Sequence, residues 1–247
     1  MDSRGSVKGD TLRLAHLLAR RGIASRRACE VIIAEGRVRV EGVTVTDPAT
    51  PVHPERSRIE VDGSPLPEAR EPVYLALNKP PGVLSSFVRG REKGRLLGEF
   101  VKHEARLVPV GRLDRDSRGL LLLTDDGDWA NRVAHPRHGT EKEYRVLVAG
   151  AKPAAAARRL AAAGFEENGR RFRAASVRAE GRWLRVVLHE GRKRQIRRLA
   201  REAGLTVREL VRVRIGPVRL GRLKEGHWRK LTPGEVGMLG KPGGKHR

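Results

Sequence analysis

A short polar stretch stands directly before a run of four leucines, and its residue types suit chemistry better than any other part of the chain: Arg112, Asp114, Arg115, Asp116 and Ser117 precede Leu120–Leu123. The leucine run predicts a buried strand. The polar side chains are therefore expected on a loop anchored to a rigid element, where catalytic groups tend to lie. An ionised carboxylate there can act as a nucleophile or as a base, or it can simply organise a turn. A serine nucleophile is excluded because Arg115 stands where the G-x-S-x-G elbow needs glycine.

A second candidate is the basic segment LHEGRKRQIRRLAREAG. Eleven Lys and Arg but only two Glu occur between Gly191 and Arg222, so the local potential is strongly positive. Apolar residues recur at helical spacing from Ile196 to Ala203, which leaves the basic side chains to phosphate or water. An arginine turned inward beside a catalytic carboxylate would hold that carboxylate ionised. The residues predicted to contact RNA here are Arg192, Lys193, Arg194, Arg198 and Arg201.

Two further segments each hold one residue of interest. EKEYRVLV contains Tyr144, one of only two tyrosines, and an aromatic residue on a strand is ordinarily part of the core. LALNKPPGVLSS places Lys79 before a Pro-Pro-Gly turn, and we count Lys79 among the expected RNA contacts. Histidines are scattered without metal-ligand spacing, so no metal site is predicted. Phosphate-loop and dinucleotide fingerprints are also absent from the sequence.

Composition points to a polyanionic partner. The 247 residues include 52 Lys and Arg against 29 Asp and Glu, which gives a formal net charge of +23 and a pI near 11.4. Arginine, which suits bidentate contacts with phosphate, supplies 41 of the basic residues. A single cysteine excludes an internal disulfide and favours a reducing cytoplasm. No stretch approaches the roughly 20 apolar residues of a membrane span, so no membrane partner is expected.

The N-terminal part predicts a small module of two helices and a β-hairpin. Leucines from Leu12 to Leu18 lie at helical spacing, Ser25 is a suitable N-cap, and Val38–Val45 alternates across a Glu-Gly turn. The segment DGSPLPEAREP marks an exposed connection, so we assign residues 1–67 to this domain, with a basic extension at its start. Its one-sided basic charge predicts RNA contacts: Arg13, Arg20, Arg21, Arg26, Arg27, Arg37 and Arg39.

The remainder, residues 68–240, predicts an α+β domain with a mixed, mostly antiparallel sheet flanked by helices. The expected strands are Val73–Leu77, Leu107–Val110, Leu120–Thr124, Tyr144–Val148 and Trp183–Leu188. The expected helices are Leu96–His103, Asp128–Ala134, Pro153–Ala163 and Arg192–Ala203. Thr232-Pro233-Gly234-Glu235 combines a capping box with proline at the first helical position and predicts a last short helix. Residues 241–247 read as a basic, disordered tail.

Four motifs, in this order, resemble those of the bacterial ribosomal RNA pseudouridine synthases: NKPPGVLSS, GRLDRDSRGLLLLTDDG, EKEYRV and LHEGRKRQIRRL. The branch is the one that contains small-subunit synthase A and large-subunit synthase B. The stretch Leu12–Val61 resembles the alpha-L RNA-binding module that precedes the catalytic domain in this family. The second motif is highly specific, and the resemblance extends to about Leu239. It implies the same mixed sheet with flanking helices, no cofactor, and a monomer acting on ribosomal RNA or an assembly intermediate.

Carried over residue by residue, the resemblance places the catalytic aspartate at Asp114. It places substrate-binding residues at Arg112, at Tyr144, which stacks on the base, and at Arg197, which pairs with the aspartate. The departures are Asp125, where relatives more often have Asn, and Lys193, where large-subunit relatives usually have Asn.

Two other functions fit part of the sequence. A non-catalytic RNA-binding assembly protein would share the basic charge, but pure binding gives no reason for a carboxylate in a basic cleft. A metal-dependent nuclease would need at least two carboxylates converging on a cation. Within the synthase interpretation, LHEGRKRQIRRL and GRLKEGHWRKLT favour large-subunit RNA, with small-subunit RNA as the alternative.

Overall fold

The computed structural model describes residues 11–240, which fall into two compact units that divide between Pro72 and Val73. The predicted basic extension at the N-terminus and the predicted tail over 241–247 lie outside these residues. None of the helices described is long and apolar enough to cross a membrane.

The first unit confirms the predicted helices and hairpin. Ser25 caps the second helix by accepting a hydrogen bond from the Ala28 N–H at 3.2 Å. The elements are β1 (Leu12–Arg13), α1 (Leu14–Arg20), α2 (Arg26–Ala34), β2 (Val38–Val40), β3 (Val43–Val45), β4 (Pro51–Val52), β5 (Ile59–Val61) and β6 (Ser64–Pro65). Four antiparallel strands form one sheet in the order β3-β2-β5-β6, and β1 pairs with β4.

The second unit is built on a nine-stranded sheet with helices on both faces. Its strands are β7 (Tyr74–Lys79), β8 (Val108–Val110), β9 (Arg118–Thr124), β10 (Lys142–Ala149), β11 (Phe165–Glu167), β12 (Arg170–Phe172), β13 (Ser176–Glu180), β14 (Trp183–Leu188), β15 (Thr206–Ile215), β16 (Val218–Arg219) and β17 (Trp228–Lys230). Its helices are α3 (Gly127–Ala134), α4 (Pro153–Ala162), α5 (Gln195–Glu202) and α6 (Pro233–Gly240), with 3₁₀ turns at Leu97–Glu99 and Pro136–His138.

The main strand order is β13-β14-β10-β15-β9-β7-β17, while β16 pairs with β15 and β8 with β9. All of these pairs are antiparallel except β15 with β9, which run parallel over two residue pairs. β11 and β12 form a separate hairpin. The α+β architecture with a mixed, mostly antiparallel sheet therefore confirms the predicted fold class.

The leucine run forms the centre of this sheet, as predicted. Leu120, Leu121, Leu122 and Leu123 are all fully buried, and they alternate between the two faces of β9. Leu121 and Leu123 pack with residues of α4 and α5, whereas Leu120 and Leu122 pack with α3 and α6. A strand covered on both faces needs a continuous apolar run. β9 consequently gives the loop that precedes it a fixed base.

Two predicted helices differ from those observed. The helix expected over Leu96–His103 is wrong: the structure has a single 3₁₀ turn there, closed by the Glu99 carboxylate accepting from the Leu96 N–H at 2.8 Å. The apolar spacing covers only one turn, which is too short to sustain an α-helix. The helix expected from Arg192 begins at Gln195, because Arg194 adopts a left-handed conformation with φ of 53°.

Glycine is required at position 119, where β9 pairs in parallel with β15, because the backbone of Arg212 lies too close to leave room for a side chain. Its φ is +106°, and a Cβ there would overlap the Arg212 carbonyl oxygen and lie 2.8 Å from the Arg212 nitrogen. We expect Gly119→Ala to lower the free energy of unfolding by about 3 kcal/mol or more, from backbone strain and overlap combined. Urea denaturation measures this change. Gly127→Ala, where a Cβ would meet nothing within 4 Å, is the control and should be near neutral.

Candidate active site

The loop between β8 and β9 carries Asp114, and it is tied to the Pro-Pro-Gly turn beside it. The Ser85 hydroxyl donates to the Leu113 carbonyl at 2.8 Å and accepts from the Leu113 N–H at 3.0 Å. The Gly82 N–H donates to the Arg115 carbonyl at 2.7 Å. Asp114 is half-buried, and its carboxylate has no hydrogen bond or ion pair to any residue between 11 and 240. The loop therefore holds a carboxylate that the protein leaves available.

Arg197 is bound to this loop, but through a different aspartate from the one predicted. Its Nη2 lies 3.0 Å from Oδ2 of Asp116, and its Nη1 donates to the Val207 carbonyl at 3.4 Å. Arg194 adds a second cation, with its Nη2 3.6 Å from the same Asp116 oxygen. The predicted ion pair between Arg197 and Asp114 is thus wrong in this structure. Asp116 links the start of α5 to the loop, and Asp114 stays free beside that link.

Tyr144 and Arg112 occupy different surroundings. Tyr144 is 7 % exposed on β10 and packs in the core cluster beneath α4 and α5. Its direct neighbour on β15 is Arg212. The Arg112 side chain is exposed, while the Arg112 carbonyl accepts a hydrogen bond from Arg212 Nη1 at 3.3 Å. Arg212 is thus both the strand neighbour of Tyr144 and a hydrogen-bond donor to the Asp114 loop. Stacking of Tyr144 on a base stays a prediction.

Lys79 does not fit its predicted role as an RNA contact. It is fully buried, and its ammonium donates to the carbonyls of Pro80 and Val83, both at 2.8 Å. Burial, and secondarily Arg212, lowers the pKa of Lys79 to about 8, an effect opposed by the charges of Asp116 and Asp114. Lys79 closes the Pro-Pro-Gly turn under the loop and has no surface to offer a phosphate.

Arg212 was not among the site residues predicted from the sequence. It is 2 % exposed on β15, and its charge acts on two other buried cations, Lys79 and Lys142. Burial and the charge of Arg212 lower the pKa of Lys142 to about 8. The missed signal is the alternation of β15, where Leu210 and Arg212 share one face and are both buried. The many arginines of this region make it look like a uniformly solvated run.

Some basic side chains around α5 are held by other protein groups, whereas others are exposed to solvent. Arg198 stacks on Phe165 at 3.6 Å and pairs with Glu167 at 3.1 Å, and Arg192 lies 4.5 Å over Phe172. Lys193 is exposed. Arg201 is also exposed, and within residues 11–240 its one ion pair is with its neighbour Glu202.

The arginines of the first unit also fall into two groups. Arg21 is a structural residue, because its guanidinium donates to the carbonyls of Pro54 and Pro67 and pairs with Glu55. Arg37 pairs with Asp62 at 2.7 Å, and Arg26 lies 3.7 Å from Glu30. The remaining four are exposed and have no ion pair within residues 11–240: Arg13, Arg20, Arg27 and Arg39.

Replacing these four arginines by glutamine should weaken RNA binding and reduce its salt dependence. Each phosphate neutralised contributes roughly 0.7 to 0.9 to the slope of log affinity against log salt, so the magnitude of the slope should fall by up to about 3.6. Titrations of a ribosomal RNA fragment at several salt concentrations measure it. Arg58→Gln, which removes a guanidinium already paired with Glu60 at 3.0 Å, is the control. An unchanged slope in the fourfold variant would exclude these residues as phosphate contacts.

No group of three or more His, Cys, Asp or Glu within residues 11–240 is placed to hold a metal ion. The chemistry available at the loop is that of the free Asp114 carboxylate beside guanidinium groups. It can attack an electrophilic carbon or accept a proton.

Comparisons with known proteins point to one family. The family model described as RNA pseudouridylate synthase matches residues 73–202, and the S4 domain model matches residues 12–56. A protein of Mycobacterium tuberculosis named as an uncharacterized RNA pseudouridine synthase is 42% identical over 235 residues, covering 92% of each chain. Ribosomal large subunit pseudouridine synthase B of Bacillus subtilis is 37% identical, with 92% of this chain and 95% of that protein covered. A crystal structure of a pseudouridylate synthase matches with a TM-score of 0.65 at 28% identity, covering 92% of this chain and 99% of its own.

Proposed function

Because the chain belongs to the RNA pseudouridylate synthase family and carries an S4 domain ahead of its catalytic unit, we propose that it converts one specific uridine of large-subunit (23S) ribosomal RNA into pseudouridine. The substrate is the RNA itself or an assembly intermediate of the ribosome, and the enzyme works as a monomer in the cytoplasm.

The reaction is an isomerisation that neither gains nor loses atoms. The N1–C1′ bond of uridine breaks, the uracil turns while bound, and a new bond joins C5 to C1′. C5 loses its proton and N1 gains one. The reaction consumes no redox equivalent, but it requires a group acting at the ribose and a surface that holds the base outside its stack.

The observation that supports this proposal best is the free carboxylate of Asp114. It lies half-buried on a loop held by Arg197 through Asp116 and by Arg212 through the Arg112 carbonyl. In our proposal Asp114 acts at the ribose, Tyr144 supports the base, and the exposed Arg112 guanidinium binds the phosphate of the target nucleotide. Arg197 orients the loop.

Large-subunit RNA is favoured by the 37% identity to the Bacillus subtilis protein named as a large subunit synthase, which extends over nearly the full length of both chains. The exposed arginines of the first unit and of α5 supply phosphate contacts that position the RNA without reading its sequence.

The test is to map pseudouridines in ribosomal RNA from a strain that lacks the gene, and then to add the purified protein to that RNA. We expect one missing pseudouridine in 23S RNA, restored by the protein in the presence of excess EDTA. Restoration in 16S RNA alone would move the substrate to the small subunit. A complete set of pseudouridines in the deletion strain, or cleavage of the RNA that depends on magnesium, would overturn the proposal.

A further inference from the structure

Arg212 holds the Asp114 loop at both of its ends. Its Nη1 donates to the Arg112 carbonyl at 3.3 Å, two residues before Asp114, and its Nε donates to the Leu120 carbonyl at 2.7 Å, where β9 has begun. One planar guanidinium therefore spans the loop's entry and exit. Since the guanidinium is rigid, the separation of the two carbonyls is fixed with it.

The loop needs this support because backbone pairing is scarce at that place. β15 and β9 pair over only two positions, Val211 with Arg118 and Arg212 with Gly119. This short parallel contact joins the two antiparallel halves of the sheet. Side-chain hydrogen bonds from Arg212 extend the junction beyond the point where the backbone ladder stops.

A bulge directs Arg212 towards the site. The register of β15 against β10 shifts between Glu143 and Tyr144, so that Arg214 pairs with Glu143 and Arg212 with Tyr144. Neighbouring residues of a strand point to opposite faces, which places Arg212 on the face of Tyr144 and Arg214 on the other face. Bulges are common beside active sites, where they redirect a side chain in this way.

Stability alone gives no reason for a buried arginine here. Arg212 makes no ion pair within residues 11–240, its Nη2 is buried without a hydrogen-bond partner, and the neighbouring Lys79 and Lys142 are cations as well. A buried charge without a counter-ion is unfavourable to folding. Arg214, by contrast, pairs with Glu141 at 2.8 Å and with Glu143 at 3.0 Å.

We propose that Arg212 is a positioning residue for the reaction, which fixes the loop at Arg112 and Leu120 so that the Asp114 carboxylate stays in its reacting place. This inference rests on the proposed function for its effect on the reaction, but the anchoring of the loop does not depend on any substrate.

The experiment compares Arg212→Met with Arg212→Lys, and uses Arg214→Met as the control on the same strand. Amide hydrogen exchange over residues 111–119 is measured without RNA, and the single-turnover rate is measured at saturating ribosomal RNA. We expect Arg212→Met to speed exchange in the loop about tenfold or more. It should lower the single-turnover rate about 100-fold and leave the Kd for RNA within about threefold. Arg212→Lys should restore little, because a single ammonium nitrogen cannot occupy the two positions from which Nε and Nη1 reach the Leu120 and Arg112 carbonyls.

The outcomes distinguish the anchoring of the loop by Arg212 from the proposed synthase activity. Unchanged exchange in Arg212→Met would overturn the proposal, and so would equal losses of rate in Arg212→Met and Arg214→Met. If Arg212→Met does not fold, Arg212→Lys replaces it, and a normal rate in that variant would overturn the proposal equally. If the wild-type protein modifies no RNA while Arg212→Met still loosens the loop, the proposed function fails and the anchoring role stands.

Discussion

Replacing Asp114 by asparagine should abolish pseudouridine formation and leave RNA binding almost unchanged. Asparagine keeps the shape of the side chain but can neither attack a carbon nor accept a proton. Because the Asp114 carboxylate makes no hydrogen bond or ion pair within residues 11–240, its replacement should not disturb the loop. We expect the single-turnover rate to fall by about a thousandfold or more, with the Kd for RNA within about twofold.

Asp116→Asn is the matched control for this experiment. It lies two residues further along the same loop, and its amide oxygen can still accept a hydrogen bond from Arg197. We expect a loss of about tenfold, since one charge of the link is removed while the reacting carboxylate is kept. A substantial residual rate in Asp114→Asn, or a larger loss in Asp116→Asn, would move the reacting carboxylate from Asp114 to Asp116.

The second large effect is expected at Arg197, in comparison with Arg201 on the same helix. The Arg197 side chain is 16% exposed and joins Asp116 to the Val207 carbonyl, whereas the Arg201 side chain is 76% exposed. Arg197→Met should release α5 from the loop and lower the single-turnover rate at saturating RNA about 100-fold. Arg201→Met should act on affinity and its salt dependence alone.

Arg197→Lys tests whether geometry or charge is responsible. Lysine offers one nitrogen, which cannot occupy both the Nη2 position beside Asp116 and the Nη1 position beside the Val207 carbonyl, so we expect little recovery of the rate. Full recovery in Arg197→Lys would show that a positive charge alone suffices. Equal changes in affinity at both positions, without a change in rate, would reduce Arg197 to an ordinary phosphate contact.

Much of the fold could be predicted because many of its helices, strands and caps are determined by short-range sequence patterns. The leucines of β9, the Ser25 cap and the alternation of Val38–Val45 each depend on a few neighbouring residues. The ten-residue strand β15 could not be recognised, because Arg208, Arg212 and Arg214 gave it the composition of a solvated basic run. Its partners β10 and β9 are distant in sequence, so only tertiary structure reveals that one of these arginines is buried.

The segments that form the candidate site could be predicted from the sequence, but the contacts between their side chains could not. The loop and α5 come together as expected, yet the ion pair of Arg197 is with Asp116, a choice between two carboxylates separated by a single residue. Lys79 looked like a phosphate contact because lysine is rarely buried. Its carbonyl partners at Pro80 and Val83 exist only once the Pro-Pro-Gly turn has formed.

The distance along the chain between Arg212 and Leu120 has a consequence for biosynthesis. The hydrogen bond that fixes the exit of the Asp114 loop joins residues 92 positions apart. A chain synthesised only as far as the end of α5 already contains Asp114, Tyr144 and Arg197, but it has neither Val207 nor Arg212. The loop acquires the hydrogen bonds from Arg212 only when β15 lies between β10 and β9. Catalytic competence therefore arrives near the end of translation, and a messenger truncated before codon 206 encodes every predicted catalytic side chain without the strand that sets their positions.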